Sequence, residues 1–341
     1  MYPGDGTVSF GATILDAEGL RLTPSERDFF RDANPFGFIL FARNIDNADQ
    51  VRALCADFRE AVGRDALITV DQEGGRVQRL VPPLARQWLP PLDHVARAGA
   101  KAERAMYLRF RLIAAELRAV GIDSDCAPSA DLARADTHKF LKNRCYGDSV
   151  EAVAHVGRAV AQGLLDGGVL PVMKHMPGHG RATLDTHFDL PSVTLDKATL
   201  MGSDFATFKA LNNLPMGMTA HLVFSEIDDR PATLSPVVME VIRKDIGFDG
   251  LIMTDDISMK ALNGSLGDIA GAAIKAGCDV VLGCNQDLPT RAEIAEAAGA
   301  MTPDAERRAR AALAARQTPT PLDEAEAEAE LHEIMGGTPY G

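Results

Sequence analysis

Val169-Leu170-Pro171-Val172-Met173 runs directly into Lys174-His175-Met176-Pro177-Gly178-His179-Gly180. An apolar run of strand length that ends in a cation, an imidazole and glycines reads as a buried strand opening into a loop. The pattern recurs on both sides. Upstream, residues 66–70 run into Asp71-Gln72-Glu73-Gly74-Gly75-Arg76, and downstream, residues 250–254 end in Asp255-Asp256. Counting outward gives eight apolar strand candidates, at 8–15, 37–41, 67–70, 122–127, 169–173, 215–220, 251–254 and 279–282. Between them lie segments such as 102–120 and 151–165, whose Leu, Ala, Val and Phe repeat at helical spacing. Alternating strands and helices imply parallel βαβ units, and eight of them predict closure into an α/β (β/α)8 barrel. An open doubly wound sheet competes with this, but no Gly-x-Gly-x-x-Gly turn is present to anchor a dinucleotide.

The barrel is expected to occupy residues 1–303 as one catalytic domain. Residues 304–341 then form a helical extension, packed on the barrel or partly mobile: an Ala/Arg-rich helix over 304–317, a Thr-Pro-Thr-Pro break, and an acidic helix over 322–335 read as a solvated face without a partner. The 341 residues suit a single barrel, and 46% hydrophobic content supplies a large core. Lys plus Arg number 35 against 48 Asp plus Glu, a formal charge of -13, which disfavours a phosphate backbone as partner. No nucleic-acid or membrane partner is expected, since neither a basic stripe nor an apolar stretch of membrane length occurs. Five cysteines without a Cys-x-x-Cys pair predict reduced thiols. The amino terminus lacks a signal-peptide pattern, so the cytoplasm is the expected location.

Barrel enzymes place reactive groups at the carboxyl ends of their strands. Asp71, Lys174, His175, His221 and Asp255 all follow strand candidates. Asp185-Thr186-His187, a few residues beyond the glycine-rich loop, adds a carboxylate and an imidazole two positions apart. Other roles are open to these residues: Asp255 could cap the following helix, His221 reads as a structural pocket histidine, His179 stays open, and Glu73 could pair with Arg76.

Together these motifs resemble glycoside hydrolase family 3, in its single-domain bacterial branch of β-N-acetylglucosaminidases of cell-wall recycling. The segments that carry the resemblance are Asp71-Gln72-Glu73-Gly74-Gly75-Arg76-Val77, Lys174 to Gly180 with Asp185-Thr186-His187, Met218-Thr219-Ala220-His221, and Thr254-Asp255-Asp256-Ile257-Ser258-Met259. They span roughly residues 8–290 in the family's order. Met176 stands where Phe is usual and Thr186 where Ser is usual, and neither change removes a reactive group.

The resemblance implies Asp255 as nucleophile, the first acid of its pair, with His187 as acid/base tuned by Asp185. It implies sugar contacts from Asp71, Arg79, Arg144, Lys174 and His175. A histidine can donate and then accept a proton near neutral pH. The implied substrate is a small glycan, terminal β-linked GlcNAc on anhydroMurNAc or its peptides, cleaved by a monomer with neither cofactor nor metal. Two alternatives remain at this stage: phosphorolysis at the same site, since a histidine does not repel phosphate as a carboxylate would, and a metal-dependent barrel hydrolase using the histidines and Asp255. The second lacks the His-x-His pair such barrels carry on an early strand.

Overall fold

The computed structural model describes residues 9–183 and 190–341. Eight parallel strands form the sheet: β1 (Gly11–Leu15), β2 (Pro35–Leu40), β3 (Leu67–Val70), β4 (Ser124–Asp125), β5 (Leu170–Met176), β6 (Met216–Thr219), β7 (Leu251–Met253) and β8 (Val281–Gly283). Their spatial order is β7-β6-β5-β4-β3-β2-β1-β8, each paired in parallel with its neighbour. The parallel bridge between Met253 and Val280 closes the ring, with Val280 donating to the Ile252 carbonyl at 3.1 Å and accepting from Thr254 at 3.0 Å. The predicted (β/α)8 barrel is therefore the fold, one strand for each apolar run. β4 is much shorter than its predicted run, 122–127. Asp123 precedes it and turns its carboxylate onto the Ile68 N–H at 2.8 Å, and the chain leaves through a cis Ala127–Pro128 peptide.

The helices start where side chains satisfy their free N–H groups. Thr23 and Glu26 form a capping box at α1 (Pro24–Ala33), and Asn47 caps α2 (Ala48–Val62). α3 (Ala102–Ala119) has no side-chain cap and is held by packing instead, with ten of its residues buried. Ser149 caps α4 (Val150–Asp166), which packs on α3. α5 (Asp204–Ala210) and the segment Pro236–Glu240, continued as a π-helix over Val241–Ile246, follow β5 and β6. Ser265, Asp287, Thr302 and Asp323 then cap α6 (Leu266–Ala276), α7 (Leu288–Ala298), α8 (Pro303–Ala314) and α9 (Glu324–Met335).

Beyond residue 303 the chain is bound to the barrel. Ala305, Ala309 and Ala312 of α8 are buried in the same core as β7, and Ala327, Leu331 and Met335 of α9 pack in the core that includes α3. The acidic helix keeps exposed acids, and on its barrel side Arg86 bonds Glu324 at 3.0 Å and Glu328 at 2.7 Å, and Arg104 bonds Glu330 at 2.6 Å. Tyr340 packs edge-on against Trp88.

Arg86 also holds Glu116 of α3 at 2.8 Å. Burial pushes this carboxyl up from 4.5 to about 7, against the pull of Arg86. A carboxyl with a raised folded pKa contributes stability that is fully present below its unfolded value and is lost as pH rises through the folded one. Glu116→Gln is therefore expected to flatten the fall in melting temperature between about pH 5 and about pH 8. A fall as steep as in the parent, read by differential scanning fluorimetry, would contradict the assignment.

Candidate active site

Three strand ends and one connecting segment converge at the carboxyl face of the barrel. Past β3 the chain makes a short antiparallel hairpin, Gln72–Gly74 against Val77–Gln78, which brings Asp71 and Arg79 side by side: Arg79 Nη2 donates to Asp71 Oδ2 at 2.9 Å. β5 delivers Lys174 and His175 across a cis peptide, and both line the cavity. β7 ends at Met253, directly before Thr254-Asp255. Residues 138–144, after β4, supply Phe140 and Arg144 as a wall. Asp71, Arg79, Arg144, Lys174, His175 and Asp255 thus border one cavity of about 100 Å3, open at its mouth. All the predicted site residues within the described chain are brought together. Asp185 and His187 lie outside the described residues.

Charge is arranged in alternation. Lys174, 1% exposed, places Nζ 2.9 Å from Asp71 Oδ1 and 2.5 Å from Glu73 Oε1. Glu73 also takes a two-pronged bond from Arg144, Nε at 2.9 Å and Nη2 at 2.7 Å. Burial alone would neutralise these groups. It is overcome by the Lys174 and Arg79 charges, which hold Asp71 well below the usual carboxylate range, and by Arg144 and Lys174, which hold Glu73 down to about 2. The same partners, against burial, raise Lys174 above its ordinary value. The site therefore presents a fixed set of ionised donors and acceptors, the equipment for several sugar hydroxyls. Glu73 is not the partner of Arg76 that its spacing suggested. The hairpin sends Arg76 outward, where its guanidinium lies 3.6 Å over the Phe140 ring.

Asp255 and its neighbour Asp256 differ in what they face. Asp256 folds back on its own chain: Ser258 donates its N–H at 3.0 Å and its hydroxyl at 2.8 Å, and the Cys284 N–H approaches at 3.3 Å. Burial pushes it up to about 6. Asp255 instead borders the cavity and accepts from the Asp256 N–H at 2.8 Å. Burial opposes its charge, but the imidazoles of His175 and His221, that N–H and Lys174 hold it below the usual carboxylate range. An ionised carboxylate facing a cavity is a competent nucleophile.

Asp131, which sequence reading missed, organises the histidines. Its Oδ2 lies 2.7 Å from His175 Nδ1, and its Oδ1 accepts the His179 N–H at 2.6 Å. A carboxylate there can only accept, so His175 carries a proton on Nδ1. The signal was available: Asp131 follows a strand candidate by four residues, the rule already applied to Asp71 and Asp255. His179, buried beside His175 with ring centroids 5.5 Å apart, is lowered to about 4, by burial first and then by its neighbour. The His221 ring spans Thr233 Oγ1 at 2.8 Å and the Asp256 carbonyl at 3.0 Å.

The model of the glycosyl hydrolase family 3 N terminal domain matches residues 15–311. The chain belongs to glycosyl hydrolase family 3. Among family members, the β-hexosaminidase of Methylococcus capsulatus is 39% identical over 294 residues, covering 83% of this chain and 85% of that one. The β-hexosaminidase of Alkalilimnicola ehrlichii is 37% identical over 282 residues, 81% of each. Native NagZ from Neisseria gonorrhoeae superposes with a TM-score of 0.83 at 30% identity, covering 96% of this chain and 97% of the other. This family 3 chain is thus a glycoside hydrolase of the β-hexosaminidase branch. Among its described residues no helix is long and apolar enough to cross a membrane.

Proposed function

We propose that the chain is an exo-acting, retaining β-N-acetylglucosaminidase that removes terminal β-linked GlcNAc, in the cytoplasm and as a monomer. The observation that carries this reading is the single cavity in which ionised Asp255 faces Asp71, Arg79, Arg144, Lys174 and His175. The polar set binds the terminal sugar and Asp255 attacks its anomeric carbon. The bond from Asp255 to that carbon forms as the glycosidic C–O bond breaks, and the departing oxygen takes a proton from His187. Water then attacks the same carbon and gives a proton back to His187, and the bond to Asp255 breaks with net retention. Asp185 fixes the tautomer of His187 and steadies its charged form.

The leaving group is proposed to be anhydroMurNAc, with or without its peptide, from peptidoglycan turnover. A groove beside the sugar cavity supports an anionic leaving group. Arg76, Lys139, Asn143 and Arg144 line it and, among the described residues, no acid does. Release of a fluorophore from its β-N-acetylglucosaminide, and not from the matching β-glucoside, is the expected result with EDTA present. Cleavage of the glucoside, or of neither, would overturn the substrate assignment.

A further inference from the structure

The two residues after Asp71 are gripped from behind by buried charges outside the cavity. Asp125, on β4 and 0% exposed, accepts the Gln72 N–H on Oδ1 at 2.9 Å, while its Oδ2 has no hydrogen-bond partner among the described residues. Arg109, on α3 and also 0% exposed, donates from Nη2 to the Glu73 carbonyl. Its guanidinium lies 5.3 Å over the Trp88 ring, and its Nε and Nη1 have no hydrogen-bond partner among the described residues. One peptide N–H and the next residue's carbonyl are thus fixed by an acid and a cation that do not line the cavity.

We infer that Asp125 and Arg109 are positioning residues for the sugar cavity: they clamp the backbone at Gln72 and Glu73 and thereby set where Asp71 and Glu73 present their carboxylates to Arg79, Lys174 and Arg144. This rests on the reading that the cavity binds a sugar. Cost is the first support. Buried charges are expensive, and well-packed apolar residues of similar volume often serve stability as well or better. Met106, Phe110, Leu112 and Ile113, around Arg109 on the same helix, are all buried and apolar. Burial pushes Asp125 up to about 7 and Arg109 down to about 10, so neither is at ease where it sits. Gly74 is the second support. Its φ is +100°, and a Cβ there would stand 1.8 Å from Arg109 Nη2 and 2.9 Å from Trp88 Cβ. The hairpin surrenders a side chain to admit the guanidinium. The third is reach. Glu73 bonds both Lys174 and Arg144 at 2.5–2.9 Å, so a shift of its backbone misaligns two sugar-binding cations at once.

The test compares removal with conservative replacement. Asp125→Leu and Arg109→Met are expected to raise KM and to weaken GlcNAc binding, read by calorimetry, in parallel by about tenfold or more, with kcat within about threefold. Asp125→Asn keeps the acceptor oxygen and Arg109→Lys keeps a donor, so both should stay near the parent. Val51→Ala, buried on α2 away from the cavity, is the stability control and should lower Tm with KM unchanged. Folded Asp125→Leu and Arg109→Met with parental KM and affinity, or with changes no larger than those of Val51→Ala, would overturn the clamp. Should the parent neither bind GlcNAc nor cleave its glycosides, the sugar reading fails, yet amide exchange of the Asp71–Gly75 segment still reads the clamp. Faster exchange in Asp125→Leu but not in Asp125→Asn supports it, and equal exchange in all three overturns it.

Discussion

Asp255→Ala is expected to bind GlcNAc and to turn over at about 10⁻⁴ of the parental rate or less, the scale on which removing a nucleophile acts. Asp255 combines two properties that the neighbouring Asp256 lacks: it borders the cavity, and it is held ionised. Asp256, tied to Ser258 and pushed up to about 6, cannot take over. Alanine leaves a small space where the carboxylate stood. Azide should enter it, attack the anomeric carbon of an activated aryl glycoside from that face and restore turnover, giving a glycosyl azide of inverted configuration. Steady-state kinetics with and without azide check this. Parental turnover in Asp255→Ala would remove the residue from the mechanism. Asp256→Asn, in contrast, should act through folding, because its oxygens serve Ser258 and Cys284.

Lys174→Met should show the second largest effect, on binding and stability together. The ammonium is buried between Asp71 and Glu73 at 2.9 and 2.5 Å, and removing one partner of a buried ionic set costs about 3–5 kcal/mol because the remaining charges stay desolvated. Separately, loss of its contact to the sugar is expected to raise KM by roughly a hundredfold, equivalent to about 2.7 kcal/mol of binding. The loss has a definite pH sign. In the parent, Asp71 and Glu73 titrate below their unfolded values, so their contribution is present above the ordinary carboxylate range and is lost only as pH falls through the depressed values. Without Lys174 both carboxyls shift upward from those depressed values, so the deficit is full where both are ionised and shrinks as falling pH protonates them. The Tm deficit of Lys174→Met should therefore be larger at about pH 8 than at about pH 5. Equal deficits with an unchanged KM would mean that Lys174 serves only as packed volume.

The parts of the molecule legible in its sequence are those written in local pattern. Each of the eight apolar runs became a strand because burial on both faces demands unbroken hydrophobicity over four to eight residues. Asp71, Lys174 and Asp255 were found because each interrupts such a run where it ends. What escaped depends on contacts between distant segments. Glu73 was given Arg76, three residues away, whereas its partner Arg144 is 71 positions on. Asp125 and Arg109 sit inside segments that read as core, and a charge within an apolar run carries no local sign of what it will face. Asp131 was within reach of the strand-end rule but is separated from β4 by the cis Ala127–Pro128 turn. The arginines that meet the acidic carboxyl-terminal helix, Arg86 and Arg104, lie more than 220 residues upstream.

The most direct test of the proposed chemistry is the configuration of the sugar as it first leaves the enzyme. Proton NMR, followed from the first minutes of hydrolysis of an aryl β-N-acetylglucosaminide, separates the anomeric signals before mutarotation mixes them. Attack by Asp255 and then by water predicts that the β-anomer appears first and the α-anomer grows in later at the spontaneous rate. Initial release of the α-anomer would mean that water attacks directly, and would contradict the covalent role given to Asp255.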